Sequence, residues 1–283
     1  MSGLNNREWR ELEKLRQKSG YTKLSQAEQR RLERLEGLVS GNRDQVEKHK
    51  WVEDRKGRKI EIIPRSQAQA ESLKAFERNK VSVSYGAVAS GKTAIACWWA
   101  ANRLVDKKVH KILLCRVNEP LGGREKGFRK GDLLEKSYGW HLPMIEYLSD
   151  VFGRKAVDMQ IEDVDGYIQI VDWEALRGQT FGRNENESVI VILDEAQLTK
   201  IDEIDCFMTR IGEYAKVIMC GDPSPHQRDN KDESGLVYLK QLVDSYDIPD
   251  IGFVKYRVRD ICRSDFVYDY VIAMQKYHGF DVE

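Results

Sequence analysis

Eight consecutive residues, Gly86-Ala87-Val88-Ala89-Ser90-Gly91-Lys92-Thr93, carry the clearest chemistry in the chain. They fit the pattern G-x-x-x-x-G-K-[ST], a glycine-rich turn that aims successive backbone amides at phosphate oxygens. Gly86 and Gly91 allow the tight path such a turn needs. Lys92 is placed to reach the β- and γ-phosphates of a nucleotide, and the Thr93 hydroxyl to hold Mg²⁺. An independent element lies further on, where the apolar run Val189–Leu193 stops at Asp194-Glu195-Ala196-Gln197. Asp194 can orient the metal through its water shell. Glu195 can polarise a water for attack on the γ-phosphate. A kinase or GTPase does not need that adjacent glutamate, so the pair favours ATP hydrolysis. A third run, Lys216–Cys220, ends in Gly221-Asp222-Pro-Ser-Pro-His-Gln227. If its strand neighbours the others, Asp222 faces the same phosphate edge and suits a sensor of the γ-phosphate.

These groups need strands that deliver them to one edge. Val81–Tyr85 precedes the loop as a candidate strand, and Thr93–Leu104 reads as the helix whose positive end adds to anion binding. Lys59–Ile63, Lys111–Cys115, Tyr167–Val171, Val189–Leu193, Lys216–Cys220 and Gly252–Val254 are the other candidate strands. The intervals between several of them leave room for crossover helices. The expected class is therefore α/β with a mostly parallel sheet, with ligands at the carboxyl ends of its strands.

Residues before 60 follow a different pattern. Trp9, Leu12 and Leu15 recur at helical spacing, and Gly20 can close that helix. Ser25 with Glu28 reads as a capping box, followed by Leu32, Leu35 and Leu38 on one stripe. The expected organisation is a helical hairpin over 1–45, a basic linker over 46–59 and a catalytic domain over 60–283. The hairpin's seam must dock on the main body or on another subunit. In the linker, Lys50, Arg55, Lys56, Arg58 and Lys59 surround Trp51. That pattern suits either a solvated linker or contact with nucleic-acid phosphates, the indole offering a stacking face.

Composition narrows the class further. The 283 residues hold 46 basic and 46 acidic side chains, a net charge of 46 − 46 = 0, which argues against a uniformly basic coat protein. A local basic patch remains open. The longest apolar stretch, Ala94–Ala101, is far short of the roughly 18 residues a membrane span needs. The amino terminus lacks a basic-then-apolar signal pattern, so a soluble cytoplasmic protein is expected. Cys97, Cys115, Cys206, Cys220 and Cys262 are dispersed without a C-x-x-C pair, as suits a reducing compartment.

Taken in order, these residues resemble the PhoH-like family of P-loop ATPases, phage-type members in particular, over about residues 60–275. Gln69 stands where the family has a glutamine upstream of the loop, and the resemblance makes it a reader of the adenine edge. The family's arginine-led segment is similar to Arg116 followed by Gly127-Phe128-Arg-Lys-Gly131-Asp132-Leu133, with Glu135-Lys136 continuing the match. Its Arg-Gly-x-Thr signature appears as Arg177-Gly178-Gln179-Thr180, and its acidic box as Asp194–Gln197. Phe207–Gly212, Ser234-Gly235-Leu236 and Asp260-Ile-Cys-Arg263 complete the series. Val117 replaces the family's usual proline, and Gln227 sits two residues later than the family's glutamine, which sets its role as γ-phosphate sensor apart from the pattern.

The resemblance implies a RecA-like P-loop fold, a ring-shaped hexamer and an arginine finger at Arg263, acting in its own subunit or a neighbour's. It places Arg177 near phosphate or nucleic acid and Arg210 at a subunit or nucleotide edge. The site so assembled uses Lys92, Glu195, Asp222 and Arg263 for catalysis. Gln69, the loop Gly86–Thr93 and Gln227 bind ATP, and Thr93 and Asp194 hold Mg²⁺. GTP remains open. The expected activity is ATP hydrolysis coupled to binding, translocation or unwinding of RNA or single-stranded DNA. The alternative is an ATP-dependent oligomeric switch with slow turnover, its hairpin serving as the oligomer or partner contact.

Overall fold

A computed structural model describes residues 57–117, 133–223 and 234–279, together with parts of 11–36. Six runs become strands: β1 Val81–Gly86, β2 Lys111–Arg116, β3 Ile168–Ile170, β4 Val189–Asp194, β5 Ala215–Gly221 and β6 Ile251–Tyr256. They form one sheet in the order β3-β2-β4-β5-β1-β6, with every neighbouring pair parallel. Helix α1 (Gln67–Arg78) precedes β1, and α2 (Lys92–Val105) crosses to β2. Then α3 (Leu133–Phe152) and α4 (Arg154–Glu162) lead to β3, and α5 (Trp173–Gly178) to β4. α6 (Ile201–Met208) and α7 (Gly235–Ser245) make the last two crossovers, and α8 (Asp265–Tyr277) follows β6.

The two-residue period of a strand explains the core. Ile112, Leu114, Ile190, Ile192 and Ile218 point to one face, against Ile95 and Leu104 of α2 and Leu148 of α3. Leu113, Val191, Leu193, Val217 and Met219 point to the other, against Leu176, Phe207 and Leu236 of α5, α6 and α7. Both faces are covered, which is why β4 reads as an unbroken apolar run and is buried throughout. Each such aliphatic side chain contributes about 1.5–3 kcal/mol through burial.

Under the phosphate loop the packing turns polar. Ser84 on β1 and Ser72 on α1 have their hydroxyls 3.0 Å apart, and Ser72 lies 2.8 Å from the Tyr256 hydroxyl on β6. Small residues let α1 approach the sheet, and the hydroxyls satisfy one another where burial would penalise an unpaired group. Lys216, at the start of β5, donates to the carbonyls of Phe76, Glu77 and Asn79 at 2.9, 3.1 and 2.7 Å. It caps the carboxyl end of α1, where orphan carbonyls attract a cation. Burial pulls the Lys216 ammonium below its usual range, with Arg103 the next cause.

One expected strand is corrected. Lys59–Ile63 lies extended but outside the sheet. Ile60 donates its N–H to Asn102 Oδ1 at 3.1 Å and accepts from Asn102 Nδ2 at 2.8 Å. The side-chain amide on α2 thus supplies the donor and acceptor that a neighbouring strand would offer, while Ile60 and Ile62 pack on the core. Alternation gave this segment an apolar face without specifying what that face would meet.

In the amino-terminal region, Leu12, Leu15 and Leu35 are buried in a small cluster of their own, with Leu32 against it. The capping box forms: Ser25 N–H donates to Glu28 Oε2 at 3.0 Å, and Glu28 N–H to Ser25 Oγ at 3.3 Å. Arg31 grips Glu11 through two 3.0 Å bonds and also pairs with Asp165, a link to the main body. Trp9, Gly20, Leu38 and the basic stretch through Trp51 to Lys56 lie outside the described residues. Among the described residues no helix is long and apolar enough to cross a membrane. All five cysteines are free thiols.

Candidate functional site

The strand order places β5 between β1 and β4, so Gly86, Gly221 and Asp194 end side by side at the carboxyl edge. Gly86 leaves β1 at φ +110°, and a Cβ there would stand 2.2 Å from the Tyr256 carbonyl oxygen. The same carbonyl accepts the Ala87 N–H at 3.0 Å, tying the loop to β6. Ala89 and Gly91 also take positive φ, +59° and +81°. Gly91 caps α2, and a Cβ on it would meet Gln69 Nε2 at 2.8 Å. The chain therefore turns tightly into α2, with the helix's free N–H groups at the loop.

Lys92 folds back over this turn. Its ammonium donates to the carbonyls of Gly86 and Ala87 at 2.8 and 2.7 Å and to Ser90 Oγ at 3.3 Å, above the Tyr256 ring. Burial pulls the Lys92 ammonium below its usual range, and nearby acids, Asp222 foremost, push back. An incoming phosphate can replace these carbonyl acceptors with a full negative charge.

Thr93 Oγ1 donates to Asp194 Oδ1 at 2.9 Å. Burial and the adjacent Glu195 push the Asp194 carboxyl up, while Arg116 and the Thr93 bond oppose them. Glu195 sits at φ +56°, a left-handed conformation that costs a non-glycine residue about 1–2 kcal/mol. Two side chains hold it there: Arg116 Nη2 donates to Oε1 at 2.8 Å and Gln197 Nε2 to Oε2 at 2.7 Å. Gln197 is itself buried, accepting the Asp222 N–H at 3.0 Å on Oε1 and the Ser234 hydroxyl at 2.9 Å on its carbonyl. The acidic turn is thereby joined to the end of β5 and the start of α7.

On the loop's other flank lies a cleft of about 210 Å³, lined by Ile63, Arg65, Gln69, Trp98, Tyr147 and Arg263 among others. Gln69 is buried, donating to the Ser90 carbonyl at 2.8 Å and accepting the Arg65 N–H at 2.7 Å. Cys262 donates its N–H to the Ala89 carbonyl at 3.2 Å. Arg263, exposed at this cleft, belongs to the same chain as the loop it faces. The lining includes none of Thr93, Asp194 and Glu195.

The fold thus gathers Lys92, Thr93, Asp194, Glu195 and Asp222 at one edge and sets Gln69 and Arg263 beside the loop. Gln227 lies outside the described residues, whereas the loop Gly86–Thr93 is described throughout. Arg177 pairs with Glu203 at 2.9 Å, and Arg210 is exposed with its carbonyl accepting from Phe181. Neither lines the cleft. Tyr256, Cys262, Trp98 and Tyr147 were not legible as site residues. Tyr256 comes to the loop because β6 pairs with β1, and Cys262 is marked only by its place beside Arg263.

Two neighbouring hard oxygens, Thr93 Oγ1 and Asp194 Oδ1, beside a phosphate-binding turn fit Mg²⁺, which keeps its remaining positions for water and phosphate oxygens. Among the described residues no group of three or more His, Cys, Asp or Glu could hold a metal.

The chain is similar to the PhoH-like protein of Bacillus subtilis (strain 168), with 30% identity over 221 residues, 78% of this chain and 66% of that protein. It is also 30% identical to Protein PhoH of Escherichia coli (strain K12) over 205 residues, 72% of this chain and 55% of that protein. It thus spans between half and two thirds of the length of these relatives. Among solved structures, the UvsW helicase from bacteriophage T4 aligns at a TM-score of 0.42 and 13% identity, covering 70% of this chain and 62% of that one. A family model described as PhoH-like protein matches residues 61–275, which take in the loop, the acidic turn and Arg263, and the chain belongs to that family.

Proposed function

We propose that this protein hydrolyses ATP at the edge formed by β1, β5 and β4, and that a single-stranded nucleic acid bound by a ring of subunits sets the rate. The observation that supports hydrolysis most is the bond from Thr93 to Asp194 with Glu195 one residue on, a candidate proton acceptor beside a candidate metal ligand. The loop amides hold the phosphates and Lys92 exchanges its carbonyl partners for their oxygens. Mg²⁺, held by Thr93 and Asp194, would supply charge neutralisation at the phosphates. Glu195 accepts the proton of the attacking water. Asp222 registers the end of β5, and Arg263 offers a second cation from the cleft.

The cleft beside Gln69 has the place and the aromatic walls of a base site, which supports ATP or GTP as substrate; Gln69 in the family's position favours ATP. The nucleic-acid reading rests on the basic stretch around Trp51, and the ring on the family resemblance. Free thiols throughout fit a cytoplasmic setting.

Turnover of ATP with Mg²⁺, with and without single-stranded RNA or DNA at low salt, tests the proposal beside Glu195→Gln as a blank. Stimulation absent from the blank is the expected result. Slow turnover indifferent to every polymer, with ATP-dependent assembly, would point to the oligomeric switch instead.

A further inference from the structure

Glu195 is held at both oxygens, and the two holds differ in kind. Gln197 is buried and fixed by three bonds, to Glu195, to the Asp222 N–H and to the Ser234 hydroxyl. Arg116 is the last residue of β2, in register with Asp194 on β4, and its side chain keeps 23% of its surface exposed. Its strong bond is the one to Glu195 Oε1 at 2.8 Å. Among the described residues its other contacts, to Asp194 Oδ2 and the Trp140 carbonyl, are both 3.4 Å.

We propose that Arg116 is a latch on Glu195: it restrains hydrolysis in the resting protein and is released when a polyanion takes its guanidinium. This rests on the hydrolysis reading and adds a regulator to it. A carboxylate takes a proton from water only when an open lone pair faces that water, so the bonds at its oxygens decide which way it can act. Here one oxygen is tied to a fixed amide and the other to a guanidinium, on a backbone already in a left-handed conformation. Only the guanidinium can leave without dismantling the turn. Phosphodiester oxygens match its planar fork as well as a carboxylate does, so a nucleic-acid backbone is a chemically apt competitor. The partial exposure of Arg116 and its two long bonds give that competitor access. The electrostatic arrangement agrees: Asp194 and Glu195 are adjacent acids, and among the described residues Arg116 is a cation that pairs with both.

The test measures steady-state turnover of wild type, Arg116→Ala and Arg116→Lys, each with and without poly(U), and with inorganic polyphosphate as a charge-only control. Melting temperatures confirm that each variant folds, and Arg116→Lys, which keeps the charge on a single-point donor, serves if the alanine variant does not. A latch predicts that Arg116→Ala raises polymer-free kcat by about tenfold with KM for ATP little changed, and loses most of the stimulation by poly(U). Arg116→Lys should fall between. Stimulation by polyphosphate matching that of poly(U) supports release by charge alone; stimulation by poly(U) only supports release by a nucleic-acid backbone. A fall in kcat for Arg116→Ala at constant KM overturns the proposal, because the arginine would then hold Glu195 in its productive place. An unchanged kcat overturns it too. Tight ATP binding without turnover in any protein, wild type included, removes the hydrolysis reading and the latch together, and is thus distinct from failure of the latch alone.

Discussion

Thr93 and Asp194 are joined by a 2.9 Å hydrogen bond although their strands are not neighbours. Thr93 opens the helix after β1, Asp194 closes β4, and β5 runs between them. That bond therefore reaches across the end of β5. The strand order also brings Asp222, the residue after β5, between the loop and the acidic turn, where its charge acts on Lys92.

Lys92 is the first residue to test. Its ammonium is partly buried and bonded to two carbonyls and a hydroxyl, and the Asp222 charge acts on it as well. Lys92→Ala should fold, yet weaken ATP binding by on the order of a hundredfold, the worth of a strong charge-assisted bond to phosphate. Equilibrium binding of a fluorescent ATP analogue measures this. Unchanged affinity would remove the loop from the site.

Glu195→Gln separates binding from chemistry. The glutamine keeps the shape and can still meet Arg116 and Gln197 in part, but it cannot accept a proton. ATP affinity should stay within a fewfold of wild type while turnover falls by roughly 10²–10⁴, the usual contribution of a general base. Wild-type turnover in this variant would assign the proton to another group.

Much of this site was legible because its chemistry is local. The loop, Thr93, Asp194 and Glu195 are fixed by spacing within short motifs, and each motif follows a short run with the pattern of a strand. The parts that were not legible depend on which strands are neighbours. Arg116 meets Glu195 because β2 lies beside β4, and Tyr256 supports the loop because β6 lies beside β1. Neither adjacency is written in local periodicity. Lys59–Ile63 failed for a related reason: its alternation matched a strand, and a side-chain amide on α2 took the place of the partner strand.

Asp194 should make the resting protein pH-sensitive. Its carboxyl is pushed above the ordinary value of 3.8, mainly by burial and then by Glu195. A raised folded pKa means that the favourable contribution is present below the unfolded value and lost as pH rises through the folded one. At neutral pH the ionised form therefore costs stability. Asp194→Asn without nucleotide should melt higher than wild type at pH 7, and the gap should narrow as pH falls toward 4. Thermal unfolding at several pH values decides it; a gap of constant size would mean that lost contacts with Arg116 and Thr93, not ionisation, set the difference.

Arg263 lines the cleft of its own chain, beside Gln69 and Tyr147, and no carboxylate of the acidic turn shares that lining. If it reaches the nucleotide from there, it serves the loop it is folded against. Arg263→Ala should then lower turnover by about 10³ or more, as loss of an arginine finger does. Mixing this variant with Glu195→Gln sharpens the test. In such a mixture one subunit supplies an intact Glu195 and the other an intact Arg263, so an arginine acting across a subunit boundary would restore turnover at shared sites. An arginine acting within its own chain would not, since every site would lack one of the two. The expected outcome is no recovery at any mixing ratio, and recovery to a sizeable fraction of wild type would move Arg263 to the neighbour's site.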